Sequence, residues 1–205
     1  MQLEGRRAEL ANGAVSGCST EGIRLDGSGG HVVKNVLVED SGKGFDIGSR
    51  SVGNTLLDNV SRANATGFDV NAKKSRLVRN TATESAVGFE LENGVEGSEL
   101  IGNVATGPGD GFSLDSTTRN VELRGNLSLG QGEGAGFGMN GRGHRLTGNR
   151  AIAHEVGISV GATETLVSNN VAIQNELDLA DDADDCDHNR WRDNVFTTSD
   201  RPCIR

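Results

Sequence analysis

The sequence contains no tyrosine, one tryptophan, two prolines and two methionines. Exposed aromatic faces, which make the usual platform for a neutral sugar ring, are therefore in short supply. Cationic charge is also scarce: 20 Lys and Arg stand against 29 Asp and Glu, for a net charge of -9 and a pI near 4.9. That balance argues against a nucleic-acid partner, because phosphate binding depends on clustered Lys and Arg releasing counterions. No apolar run approaches the roughly 18 residues needed to span a bilayer, so no membrane span is expected. The opening MQLEGRRAEL has no apolar core after its charges and does not read as a signal peptide, so a secreted chain would carry its signal elsewhere. The hydrophobic fraction is only 34% and the mean hydropathy is -0.41, values that raise the question of disorder.

The regular spacing of the apolar residues answers that question. Glycine is abundant, with 30 residues, and seven glycines open related phrases: GIRL at 22, GFDI at 44, GFDV at 67, GFEL at 88, GFSL at 111, GFGM at 136 and GISV at 157. A degenerate eighth copy, ELDL, lies at 176 to 179. Within each phrase the apolar residues alternate, the period-two pattern of a short strand with one buried face. Phe45, Phe68, Phe89, Phe112 and Phe137 fall in one column, flanked by Ile23 and Ile158. A second register is marked by Asn35, Asn59, Asn80, Asn103, Asn126, Asn149, Asn170 and Asn194, spaced by 21 to 24 residues. Three residues before each stands an apolar side chain: Val32, Leu56, Leu77, Leu100, Leu123, Leu146, Val167 and Trp191.

Units of about 22 residues, turning at Gly and Asn, are too short for helical hairpin repeats and lack the strict leucines of leucine-rich repeats. They can bury their apolar faces only by stacking. The reading is all-β, a right-handed parallel β-helix of about eight coils, roughly 38 Å long at about 4.8 Å per coil. Repeats occupy residues 1–180 and a capping segment of the same domain occupies 181–205. The asparagines are expected to form an inward ladder, with Asn also tolerating the left-handed turn conformation.

The alternation of GF-x-[LIV] with L-x-x-N over residues 10 to 196 resembles the right-handed parallel β-helix superfamily, including pectate-lyase-like and NosD-like proteins. The tail DLADDADDCDHNRWRDNVFTTSDRPCIR is similar to the endings of many secreted bacterial β-helix proteins. Of three cysteines, Cys186 and Cys203 sit close together in the tail and point to a disulfide and an oxidising, secreted or periplasmic compartment. Such a bridge, with Trp191 and Phe196, would cover the open edge of the stack. Cys18 reads as a small buried residue. The first coil enters the repeat without a capping helix, so the chain reads either as the back part of a longer β-helix or as one that joins a second copy through that coil.

In G-F-x-L-x the positions marked x face outward. Stacking aligns Arg24, Asp46, Asp69, Glu90, Ser113, Gly138 and Ser159, and beside them Asp26, Gly48, Asn71, Glu92, Asp115, Asn140 and Gly161. Asp46, Asp69, Glu90 and Glu92 are the candidate calcium ligands on this expected exposed acidic face. Asn71, Lys74 and Asp115 are candidate substrate contacts. The superfamily's lyases imply calcium neutralising a uronate carboxylate and a Lys or Arg base, for which Lys43, Arg50 and Lys73 are the candidates. The plainer reading is that these acids only keep the solenoid soluble. His31, His144, His154 and His188 form no constellation and read as solvent-facing loop residues. The Asp-rich stretch from 178 to 187 does not match an EF-hand and reads as a solvated cap loop. The functional expectation is binding or processing of an extracellular, uronate-containing polysaccharide, with a non-catalytic scaffold or end-to-end assembly module as the alternative.

Overall fold

The structure is a computed structural model and describes residues 1–183, 185, 186 and 188–204. Among these there are only strands and turns, and every strand pairing is parallel. One sheet of nine strands holds the glycine phrases, running from Gln2–Leu3 through Glu21–Leu25, Lys43–Ile47 and Thr66–Val70 to Leu177–Asp181. Two eight-residue strands, Glu9–Ser16 and Val32–Glu39, begin the rest of the wall. From there the wall divides into two arms of three-residue strands, one ending at Arg190–Arg192 and the other at Val171–Ile173. This is a β-solenoid of about eight turns, in which Phe45 pairs with Phe68, 23 residues on.

Alternation along each strand decides what lies inside. The five phenylalanines are fully buried and stack at 4.7 to 4.8 Å with interplanar angles of 2 to 4°. Their spacing is the pitch of the backbone ladder, not a choice of the rings. The glycine before each ring is required by a close approach: a Cβ on Gly88 would stand 2.6 Å from the carbonyl oxygen of Gly111 and 2.8 Å from the Cβ of Ala105. Small residues facing small residues let the corner between the sheets close.

The asparagine ladder points inward, as expected. Asn80 donates from Nδ2 to the Leu56 carbonyl and to Asn103 Oδ1, and Asn103 Oδ1 also accepts from the Asn80 backbone N–H. The same bonds repeat from Asn59 to Asn194 at 2.8 to 3.1 Å. Two details of the expected register are corrected. Asn35 is exposed and bonds Asn12, while Val36 occupies the rung above it, so the ladder starts at Asn59. Likewise Val33, not Val32, pairs with Leu56 in the apolar column. Strand pairing fixes the register, and in the long strand Val32–Glu39 the residue type no longer marks it. Nor do the ladder asparagines take the left-handed conformation. The residue before each does, as in Asp58, Arg79, Asn169 and Asp193 at φ 52 to 57°.

Outside the wall, opposite charges one coil apart pair with each other. Arg76 meets Glu99 at 3.2 Å, Arg79 meets Asp58 at 2.8 Å, Lys73 meets Glu96 at 3.0 Å, and Lys34, Arg62 and Arg142 pair with Glu9, Glu39 and Glu164.

The buried ladder makes a direct prediction. Asn103→Ala strips the acceptor from two donors of Asn80 and the donor from the Leu77 carbonyl. Urea unfolding should show a loss of about 3 kcal/mol, and a loss below about 0.5 kcal/mol would mean the rung is not a buried hydrogen-bonded one.

Candidate functional site

The nine-stranded sheet presents its outward positions in straight columns. Arg24, Asp46, Asp69, Glu90 and Ser113 follow one another coil by coil, as the alternation predicts. The residues three positions earlier in the chain form another column that begins with Glu21, Lys43 and Thr66. Between these columns Lys43 reaches forward by a coil and its Nζ pairs with Asp69 Oδ2. Asn71 donates to the other oxygen of Asp69 at 2.8 Å. Arg24 does for Asp46 what Lys43 does for Asp69, with Nη1 2.8 Å from Asp46 Oδ2 and 3.3 Å from Glu21 Oε1.

This changes the character of the face. Asp46 and Asp69 are outward but closed over, with relative exposures of 4% and 0%. Long basic side chains and Asn71 lie across them, so the exposed acidic column expected at these two positions is instead a layer of covered ion pairs. Burial lowers the Lys43 pKa, but Asp69, Asp46 and Glu92 outweigh it and hold it above the ordinary lysine range. Asp46 is pushed above the usual carboxylate range by burial first and then by Asp69, with Arg24 and Lys43 opposing. Glu90 is raised by burial, then by Glu92 and Asp69.

An open groove of about 290 Å³ runs over this layer, lined by Glu21, Arg24, Lys43, Asp46, Gly48, Ser49, Asn71, Glu92 and Asn93. Lys43 and Asn71 of the sequence-predicted contacts line it, together with Asp46 and Glu92. The other candidates lie elsewhere. Arg50 is exposed at a turn, 3.7 Å from Asp26, and lines a different surface depression with Glu4 and Gly27. Lys73 is held by Glu96, and Lys74 occupies a left-handed corner position. Asp115 is taken up in building its own turn, accepting from the Thr117 N–H and hydroxyl and from the Asn93 N–H.

Residues 6–201 of this parallel solenoid match the profile of the family described as periplasmic copper-binding protein (NosD). The chain belongs to the NosD family. No curated protein matches it. The NosD-family chain also carries the tail disulfide, Cys186 to Cys203, with Cα atoms 6.1 Å apart. The bridge and the periplasmic description of the family agree with an extracytoplasmic β-helix protein. Cys18 is free and half-buried. No helix among the described residues is long and apolar enough to cross a membrane.

The tail of this NosD-family member is more buried than a solvated loop. Asp181 Oδ2 accepts from Trp191 Nε1 at 2.9 Å and from Asn189, and Asp178 Oδ2 accepts from the Thr197 and Thr198 N–H groups. Asp184 and Asp187 of the same acidic stretch lie outside the described residues.

Three of the four histidines are corrected. His31, His144 and His154 are buried, with exposures of 0 to 2%, and the first two serve as corner rungs. His31 Nδ1 accepts from the Ala8 N–H one coil below, and His144 Nδ1 accepts from the Val121 N–H in the same way. The remaining nitrogens of these two rings face the carbonyls of Asp26 and Asn140. Asn54 and Asn189 do this work at the same corner in other coils. The signal was present: each of these residues stands two positions before the apolar column, at Val33, Leu56, Leu146 and Trp191.

A ring that accepts at one nitrogen and donates at the other must be neutral. Burial accordingly lowers the His144 pKa from 6.5 to about 4. Between those values only the unfolded chain binds the proton, so stability rises with pH over that window and is lost as pH falls through it. His144→Asn should remove about 3 kcal/mol of the pH dependence between pH 6.5 and 4. Thermal melts of both proteins across this range test it, and parallel curves would contradict the neutral rung.

Proposed function

We propose that this NosD-family chain is an extracytoplasmic β-helix protein that binds, without cleaving, an extracellular polysaccharide containing uronate units. The observation that carries the reading is the lining of the sheet groove. Donors from Arg24, Lys43, Asn71 and Asn93 alternate with acceptors from Glu21, Asp46 and Glu92 along a flat face at coil spacing. A chain of sugars offers hydroxyls and carboxylates in a similar linear succession, and no aromatic platform is needed for such polar contacts. Binding is favoured over cleavage by the state of the candidate base. Lys43 is held in its protonated form by three carboxylates, and the other two bases, Arg50 and Lys73, stand outside the groove.

Calcium has a place in this reading at Glu90 and Glu92. Among the described residues neither has an ion-pair partner, and Glu92 adds to the raised pKa of Glu90. A hard cation with oxygen ligands relieves that repulsion and leaves coordination positions for a uronate carboxylate.

Copper, which the family description names, finds no fitting donor cluster among the described residues. Copper favours imidazole and sulfur ligands. Both ring nitrogens of His31 and of His144 are engaged, Met139 is buried in the core, and Cys18 lies apart from them. His154 has one unpartnered ring nitrogen, but among the described residues no three His, Cys, Asp or Glu side chains converge as a metal site. No step is derived through copper.

Calorimetric titration with oligogalacturonate, in calcium and in chelator, tests the proposal. At physiological salt a calcium-requiring component of the binding should appear, be lost in Glu90→Gln/Glu92→Gln, and proceed without the ultraviolet absorbance of unsaturated uronate products. Calcium-dependent product formation would overturn the non-cleaving reading, and binding unaffected by the double substitution would overturn the groove.

A further inference from the structure

The geometry points to a second, calcium-independent site for an acidic glycan, on the opposite wall of the solenoid at Arg145, Arg190 and Arg192. It goes beyond the groove reading, since it lies on another sheet and neither site needs the other.

Surface charges on this wall pair between neighbouring coils. On this same arm Arg76 is answered by Glu99 one coil on, at 3.2 Å. Continuing the column, the register runs Glu122, Arg145, Leu166, Arg190, and the neighbouring outward column ends in Ser168 and Arg192. Cross-coil pairing stops here. Arg145 forms no ion pair with Glu122, and among the described residues neither Arg190 nor Arg192 has a carboxylate partner. The nearest acid at the rim, Glu164, is occupied by Arg142. Arginines without an ion pair occur elsewhere, as at Arg119 and Arg150, but this groove gathers three guanidinium groups that have no carboxylate partner among the described residues, in a chain of net charge -9.

The cluster is also held in place. Arg190 and Arg192 flank Trp191, whose ring is buried and whose Nε1 is bonded to Asp181, so both arginines are directed outward by the strand. With Arg145 they line a groove of about 480 Å³ over Leu166. Guanidinium groups bind carboxylate and sulfate oxygens through paired N–H bonds, and the repulsion of the distant acids is screened beyond about 8 Å at physiological ionic strength. Arg145 and Arg190 stand two coils apart, about 10 Å along the sheet. An extended uronate chain presents carboxylates at comparable intervals. Nucleic acid is disfavoured because the groove has no Phe, Tyr or Trp for base stacking and the chain as a whole carries a net charge of -9.

The test is calorimetric titration of the full chain with oligogalacturonate in low salt and chelator, where calcium-dependent binding is silent. Binding should persist there and weaken as salt rises. Arg190→Gln/Arg192→Gln, and separately Arg145→Gln, should weaken it at least tenfold, while the exposed Arg119→Gln/Arg150→Gln leaves it unchanged. No binding in chelator, or equal weakening by the Arg119/Arg150 pair, would overturn the site. Inorganic sulfate or a DNA oligonucleotide binding as tightly as the uronate oligomer would overturn its assignment to a glycan. Loss of calcium-dependent binding alone would count against the sheet groove and leave this site standing.

Discussion

Every feature of this molecule inherits the pitch of a parallel backbone ladder closed by buried side-chain amides. A coil cannot move without breaking both the strand hydrogen bonds and the Asn rungs, each of which bonds groups on the coils before and after it. The phenylalanine rings stack at that pitch, the glycines beside them are fixed by it, and surface charges find partners at the same interval. Buried polar groups are costly unless bonded, so the interior amides specify a register as well as stabilising it. The histidine corners extend the same rule, since imidazole replaces an amide only while it is neutral.

Much of this was legible in the sequence because the constraint repeats. Phe, Gly and Asn recur in columns, and the columns give the strands, the core and the ladder from Asn59 onward. The failures have physical causes. Asn35 was placed on the ladder by its residue type, whereas strand pairing puts Val36 there. His31 and His144 do not stand out in the sequence because the corner they occupy also holds Asn, Ser, Thr and Val, which hides the role that His31, Asn54, Ser98, His144 and Asn189 share: accepting from the backbone N–H one coil below. The covering of Asp46 and Asp69 depended on how far Arg24 and Lys43 reach across coils, which alternation does not encode.

The site itself was half legible. The column of Asp46, Asp69 and Glu90 was read correctly as a column, but two of its members proved to be internal counter-ions for Arg24 and Lys43. What remains available on that face is Glu90, Glu92 and the polar rim of the groove. The arginine face was not singled out, because its significance lies in missing partners, and partners become visible only when coils are aligned. Both proposed sites lie where the coil-to-coil rules lapse: among the described residues, Glu90 and Glu92 have no ion-pair partner, and Arg145, Arg190 and Arg192 have no acid.

The buried amide ladder should be the most constrained part of the structure. Amide hydrogen exchange measured residue by residue tests it most directly. The backbone N–H groups of Asn59, Asn80, Asn103, Asn126 and Asn149, each bonded to the next rung, should be among the slowest to exchange and should open together, at the free energy of global unfolding. Exchange at these positions as fast as at the exposed Asn35 would contradict the claim.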